Sequence, residues 1–145
     1  MDAFSASLMA DKREIVFAPT VYKFQTFAQM AEEFKLGERD VVLTNEFIYT
    51  PFMKDLGLKC NFVFQEKFGA GEPSEAMIQT MYDAIPYDSY DRVIAVGGGA
   101  IMDLCKLLGC KRPDTVHNLY FKRFPVVHEK DVIAIPTTCG TGSEC

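Results

Sequence analysis

Three consecutive glycines, Gly97, Gly98 and Gly99, stand directly behind the apolar run Val93, Ile94, Ala95 and Val96 and just ahead of Ile101, Leu104, Cys105 and Leu108, which repeat at helical intervals. A strand that passes into a helix through residues without side chains lets backbone N–H groups approach an anion such as a pyrophosphate. The positive end of the helix dipole then points at it. The same glycines also serve simply as a tight turn, and both readings stand: the run is not a GxGxxG fingerprint, and Lys106 follows too late for a P-loop. A second turn lies behind Val132, Ile133, Ala134 and Ile135. There Pro136 is followed by Thr137, Thr138, Gly140, Thr141, Gly142 and Ser143. Hydroxyls on small residues can hydrogen-bond a ribose or a base edge without filling the space a cofactor needs, although a Ser/Thr/Gly stretch is often only a loop.

Asp103 comes four residues after Gly99, inside the expected first helical turn, where the dipole stabilises a carboxylate with or without a ligand. Lys106 either reaches an anionic group or is an ordinary exposed lysine. His117 and His128, the two histidines, are too far apart for a helical metal pair and read as surface residues. The five cysteines, Cys60, Cys105, Cys110, Cys139 and Cys145, show no CxxC spacing, which suits reduced thiols. Cys139 has no evident base partner, and no nucleophile elbow is present.

The elements that must position these turns alternate along the chain. Short β-prone runs at 14–17 and 21–24 predict an edge hairpin or bent strand. Thr26 is a candidate N-cap for a helix carrying Phe27, Met30, Ala31 and Phe34 and ending at Gly37. Val41, Val42 and Leu43 form a strand covered on both faces. Residues 49–56 predict a short helix with Pro51 in its first turn and Gly57 at its stop, followed by a strand at 62–64. Ser74 caps a helix whose apolar stripe is Met77, Ile78, Met81, Tyr82 and Ile85, its methionines acting as core filler. Residues 111–130, with Pro113, Asn118 and Pro125, read as an irregular, partly flexible loop. Such alternation predicts an α/β fold with a mostly parallel sheet and helices on both faces. Ligands of such sheets collect at the carboxyl ends of the strands, so both glycine-bearing turns are expected to face one crevice.

Composition narrows the function classes. The chain has 145 residues, 48% of them hydrophobic, which is ordinary for one packed domain. Fifteen Lys and Arg against twenty Asp and Glu leave a net charge of −5, with no basic cluster for nucleic acid; 121–123 reads as a solvated loop. No apolar run reaches the roughly 20 residues a membrane span requires, and acidic residues occupy the place of a secretory signal. A cytoplasmic protein without nucleic-acid or membrane partners is expected.

Gly97-Gly98-Gly99-Ala100-Ile101-Met102-Asp103-Leu104-Cys105-Lys106 resembles the GGGSxxDxAK stretch of iron-containing (group III) alcohol dehydrogenases, and residues 136–144 resemble their PTTxGTGSE stretch. The segments 18–24, 43–47 and 64–69 look most like the 4-hydroxybutyrate dehydrogenase branch. The resemblance covers nearly the whole chain but only the N-terminal part of the family, whose members are more than twice as long. It implies a Rossmann-like dinucleotide-binding domain over 1–145, incomplete and lacking the all-helical C-terminal domain. It further implies hydride transfer between NAD and a small-molecule primary alcohol, with 4-hydroxybutyrate and succinate semialdehyde as the pair, and a homodimer or larger homo-oligomer when intact. By motif, Gly97, Gly98 and Gly99 would cradle the pyrophosphate, Asp103 would face the nicotinamide, and Thr137, Thr138 and Thr141 would line the cofactor. Asn45 stands where the family often has an acidic residue that holds the adenosine ribose, which leaves NADP open beside NAD. Ala100 replaces the usual serine. The divalent metal, Fe or Zn, would be held by an Asp and three His beyond Cys145, so the chain alone is expected to be inactive. The alternatives are a stand-alone nucleotide-binding module and a relative of glycerol dehydrogenase or dehydroquinate synthase.

Overall fold

The computed structural model describes residues 19–144. Four strands, β1 (Asp40–Thr44), β2 (Asn61–Phe64), β3 (Arg92–Gly97) and β4 (Asp131–Pro136), form one sheet in the order β2-β1-β3-β4, every pair parallel. Among the described residues five α-helices connect and cover it: α1 (Phe27–Glu33), α2 (Glu46–Phe52), α3 (Glu75–Ala84), α4 (Gly99–Gly109) and α5 (Val116–Tyr120). The order reverses between β1 and β3, which makes their carboxyl ends the switch point of a doubly wound sheet.

Period-two alternation decides which residues meet which layer. Val41, Leu43, Val93 and Ala95 face α3, α4 and α5 and pack with Met77, Met81, Ile101, Leu104, Leu108 and Val116. Val42, Ile94 and Val96 face the other way, onto Met30 of α1 and Ile48 of α2. Residues on both sides of β1 and β3 are therefore buried, as their uninterrupted apolar runs require, while the run Val132 to Ile135 on the edge strand β4 is only half-buried. Each fully buried aliphatic side chain contributes on the order of 1.5–3 kcal/mol through removal from water.

Capping follows the sequence at Thr26 and Ser74, and Thr115 caps a third helix inside the stretch expected to be a loop. Thr26 accepts from the Gln29 N–H at 3.2 Å, Ser74 from Met77 at 3.2 Å, and Thr115 from Asn118 at 3.4 Å. Other expectations are corrected. The run 14–17 lies outside the described residues, and 21–24 is no strand: Tyr22 and Phe24 set their rings against Phe34 instead. Helix α1 closes before Gly37, since Lys35 takes the left-handed turn at φ 49° and the Gly37 N–H goes to Asp40 Oδ2 at 2.7 Å. Helix α2 begins at Glu46, so Pro51 occupies its last turn rather than its first, and Gly57 in the left-handed region ends the short 3-10 turn beyond. Asp103 belongs to the second turn of α4, one turn past the position expected for it.

The stretch 111–130 is more ordered than a loop. It contains α5, and its base is clamped by Lys111 N–H on the Val127 carbonyl at 2.7 Å and by Glu129 and Lys130 N–H groups on the Gly109 carbonyl at 2.9 and 3.0 Å. Two cations hold its ends to the amino-terminal rim of the sheet. Arg112 donates to the Tyr82 and Ile85 carbonyls at the end of α3, with its guanidinium 4.5 Å from the Tyr82 ring centroid. Lys130 donates to the Tyr87 and Tyr90 carbonyls at 2.7 and 2.5 Å and lies over both rings. Periodicity missed this because the anchors are cation–ring and cation–carbonyl contacts.

Burial pushes the Cys60 thiol up to about 11, and full enclosure raises Cys105 further, so these side chains are inert hydrophobes at neutral pH. Cys139, on the second turn, is exposed. At the amino-terminal rim Arg92 grips Asp40 with two bonds of 2.7 and 2.9 Å and adds one to the Phe34 carbonyl; the Asp40 side chain is only 7% exposed. Removing one partner of such a pair strands the other charge. Arg92→Ala is expected to lower stability by about 3 kcal/mol in urea unfolding, whereas Arg39→Ala, which breaks the exposed pair with Asp91, should leave the midpoint nearly unchanged. Similar losses from both variants would contradict this account.

Candidate functional site

Register brings the relevant residues to one rim. Thr44 pairs with Phe64 on one side and with Val96 on the other, and Gly97 pairs with Pro136. The residues that follow, Gln65, Asn45, Gly98 and Thr137, therefore leave the carboxyl edge of the sheet as a row. The Thr44 hydroxyl donates to the Val96 carbonyl at 2.8 Å and ties β1 to β3 at the switch point.

The two turns lie against each other. The Thr137 N–H donates to the Gly97 carbonyl at 2.9 Å. A Cβ built on Gly98 would stand 3.5 Å from Thr138 Oγ1, and one on Gly99 would stand 3.3 Å from Ser143 Oγ and 3.4 Å from the Thr141 side chain. Gly97 is the tightest of the three: its Cβ would fall 2.6 Å from Ile101 Cδ1 and 3.1 Å from Ile101 Cβ. The second turn keeps its shape through Gly140 and Gly142, both left-handed at φ 86° and 69°. Thr137, Thr138 and Thr141 are exposed, and Gly98 and Gly99 are half-buried beside them. Of the sequence-derived candidates, Gly98, Gly99, Thr137, Thr138 and Thr141 thus form one continuous surface, with Gly97 buried beneath it.

Helix α4 starts from that surface. Its first internal bond runs from the Met102 N–H to the Gly98 carbonyl at 3.2 Å, so the N–H groups ahead of it have no partner within the helix. Gly98 occupies the N-cap position and supplies no side-chain oxygen, unlike Thr26, Ser74 and Thr115 at their helices. Bare donors, the positive end of an eleven-residue helix and an absence of side-chain bulk make a cradle suited to a diphosphate.

Asn45 and Asp103 are placed differently. Asn45 is half-buried at the end of β1, and its side chain does not cap α2 but donates from Nδ2 to Glu66 Oε1 at 3.1 Å. Asp103 is half-exposed on α4, and its ion pair runs along the helix to Lys106 at 4.0 Å, away from the contact between the turns. Ser143, read from sequence as one of the second-turn hydroxyls, lies at that contact. Glu66 was not singled out as a site residue, because its place beside Asn45 depends on strand pairing.

Among the described residues no group of three His, Cys, Asp or Glu side chains could hold a metal ion. His117 faces Glu75 at 3.4 Å, and His128 lies beside Cys110. No helix among the described residues is long and apolar enough to cross a membrane. A shallow depression against α1 between Phe24, Gln29, Glu32, Glu33 and Lys35 shares no residue with the turns.

Comparison with known proteins agrees with this layout. The chain is 46% identical over 127 residues to 4-hydroxybutyrate dehydrogenase of Clostridium kluyveri, a match covering 88% of this chain and 34% of that protein. It is 38% identical over 81 residues to the mitochondrial hydroxyacid-oxoacid transhydrogenase of Rattus norvegicus, which covers 50% of this chain and 17% of that one. A crystal structure of an iron-containing alcohol dehydrogenase superposes with a TM-score of 0.61 at 26% identity, over 81% of this chain and 34% of the other. The sulfoacetaldehyde reductase of Bifidobacterium kashiwanohense, solved in complex with NAD+, shares the fold with a TM-score of 0.61 at 22% identity, over 81% and 33%. The chain thus spans about a third of the length of the Clostridium kluyveri 4-hydroxybutyrate dehydrogenase. The iron-containing alcohol dehydrogenase family model matches residues 18–145, and the chain belongs to that family.

Proposed function

We propose that residues 1–145 act as the dinucleotide-binding part of an NAD-linked, metal-assisted alcohol dehydrogenase that interconverts a short ω-hydroxy acid, of the 4-hydroxybutyrate type, with its aldehyde. The observation that carries this reading is the mutual contact of two turns without bulk at the carboxyl rim, with the uncapped start of α4 between them. The 46% identity to a 4-hydroxybutyrate dehydrogenase supports the substrate class.

In this reading the dinucleotide supplies the site that takes up or releases the hydride. The chain's own groups bind and orient it. Backbone N–H groups at Gly99 and Ala100 donate to the diphosphate, and the α4 dipole offsets its charge. Thr137, Thr138 and Thr141 present hydroxyls along the same surface. Asn45 lies toward the adenosine ribose, and Asp103, one turn into α4, lies toward the nicotinamide half. The described residues do not provide a metal centre, so activation of the alcohol oxygen is assigned to none of them.

A side chain at Gly99 should close the cradle. Gly99→Val is expected to raise the Kd for NAD by at least about tenfold, the equivalent of losing one charge-assisted hydrogen bond, with the far-ultraviolet circular dichroism spectrum retained. Undiminished binding by a folded Gly99→Val variant would remove the diphosphate from this turn. The chain by itself should form no NADH from NAD and 4-hydroxybutyrate, with or without added Zn²⁺ or Fe²⁺. Metal-stimulated turnover would show that these residues include a catalytic metal centre after all.

A further inference from the structure

We propose that Glu66 is the residue that selects NAD over NADP, with Asn45 positioning it; the inference rests on the cofactor reading above. In nucleotide-binding sheets of this kind an acidic side chain near the end of a neighbouring strand holds the ribose 2′-hydroxyl and repels a 2′-phosphate. The end of β1 offers only the neutral amide of Asn45. The carboxylate comes instead from the end of β2.

Parallel pairing of Thr44 with Phe64 sets the residues after β2 beside those after β1. Two donors from the β1 side then converge on one oxygen of Glu66: Asn45 Nδ2 at 3.1 Å and the Glu46 N–H at 3.1 Å. Both bonds go to Oε1, which fixes the carboxylate and leaves Oε2 outside them. Gln65, buried at 8% exposure, steadies the same corner: its Oε1 is 3.5 Å from Asn45 Nδ2, and its Nε2 donates to the Gly71 carbonyl at 3.3 Å. The nearest cation in sequence, Lys67, lies over the Phe64 ring, 5.6 Å from its centroid. Glu66 itself is exposed on the rim. A carboxylate held by one oxygen and open at the other accepts a ribose hydroxyl and opposes a phosphate at that place. Asn45 therefore does not weaken NAD selection by lacking a charge; it aims the charge of a neighbour.

Glu66→Gln tests this, because the amide keeps an oxygen for the Asn45 and Glu46 donors and loses only the charge. Isothermal titration of the chain with NAD and with NADP should show NAD bound more tightly by the unaltered protein. In Glu66→Gln the ratio of the two dissociation constants should move toward NADP by about tenfold or more, with the thermal unfolding midpoint little changed. Asn45→Ala should shift the ratio the same way by a smaller factor. A purely structural cap would alter the melting temperature and not the ratio, so an unchanged ratio in a Glu66→Gln chain that still binds NAD overturns the assignment alone. Failure of the unaltered chain to bind either dinucleotide overturns the cofactor reading and this assignment together.

Discussion

The site depends on a steric condition at two positions of the turn after β3: Gly97 must lack a Cβ to pack under Ile101 of α4, and Gly99 must lack one to sit close against the turn after β4. The two turns leave directly paired strand ends, Gly97 opposite Pro136, and are joined at once by the Thr137 to Gly97 hydrogen bond. At that spacing a side chain on Gly97 would collide with Ile101, and one on Gly99 would press on Ser143. The condition belongs to packing rather than to conformational freedom, since the left-handed glycines are the ones in the second turn, Gly140 and Gly142. One turn thus uses glycine for closeness and the other for curvature.

The two rims of the sheet divide the work. The amino-terminal rim is dense with directional contacts: Arg92 on Asp40, Lys130 on the Tyr87 and Tyr90 carbonyls, Arg112 on the end of α3, and the buried Tyr90 hydroxyl on the Leu108 carbonyl at 2.8 Å. The carboxyl rim is built from glycine, threonine and a few amides. Stability concentrated at one end leaves the other free to keep unfilled donors and unpacked surface, which a ligand site needs and a core does not tolerate. The clamp of residues 111–130 to the first rim also fixes the start of β4, and through β4 the height at which its threonine turn meets the glycines.

Most of this architecture was legible in the sequence because it rests on short-range physics. Uninterrupted runs such as Val41 to Leu43 and Val93 to Val96 are what a two-sided sheet demands, and Thr26 and Ser74 cap helices for local reasons. Local reasoning failed where a distant partner decides. The start of α2 lies at Glu46, where a carboxylate twenty residues on accepts its N–H, so the helix expected over 49–56 with Pro51 in its first turn begins earlier and carries Pro51 near its end. Helix α5 was hidden in a stretch with two prolines because its anchors are Arg112 and Lys130 on tyrosines of another connection. That the glycine turn and the threonine turn lie together was readable, whereas the place of Glu66 beside Asn45 was not.

That failure has a general cause. A sequence motif records residues whose neighbours along the chain matter, and the glycine turn is of this kind: strand, three glycines, helix. A charge supplied across a strand pair leaves no motif, since only the register of β1 on β2 sets which residue stands beside Asn45. Substituting an amide for an acid at the end of β1 therefore need not remove the acid from the site. The two strand ends form one surface, and a carboxylate can occupy it from either side provided the partner residue can donate to it. Asn45 satisfies that proviso through Nδ2, a donor that an aspartate in the same place would lack, so the amide and the displaced carboxylate are complementary halves of one arrangement.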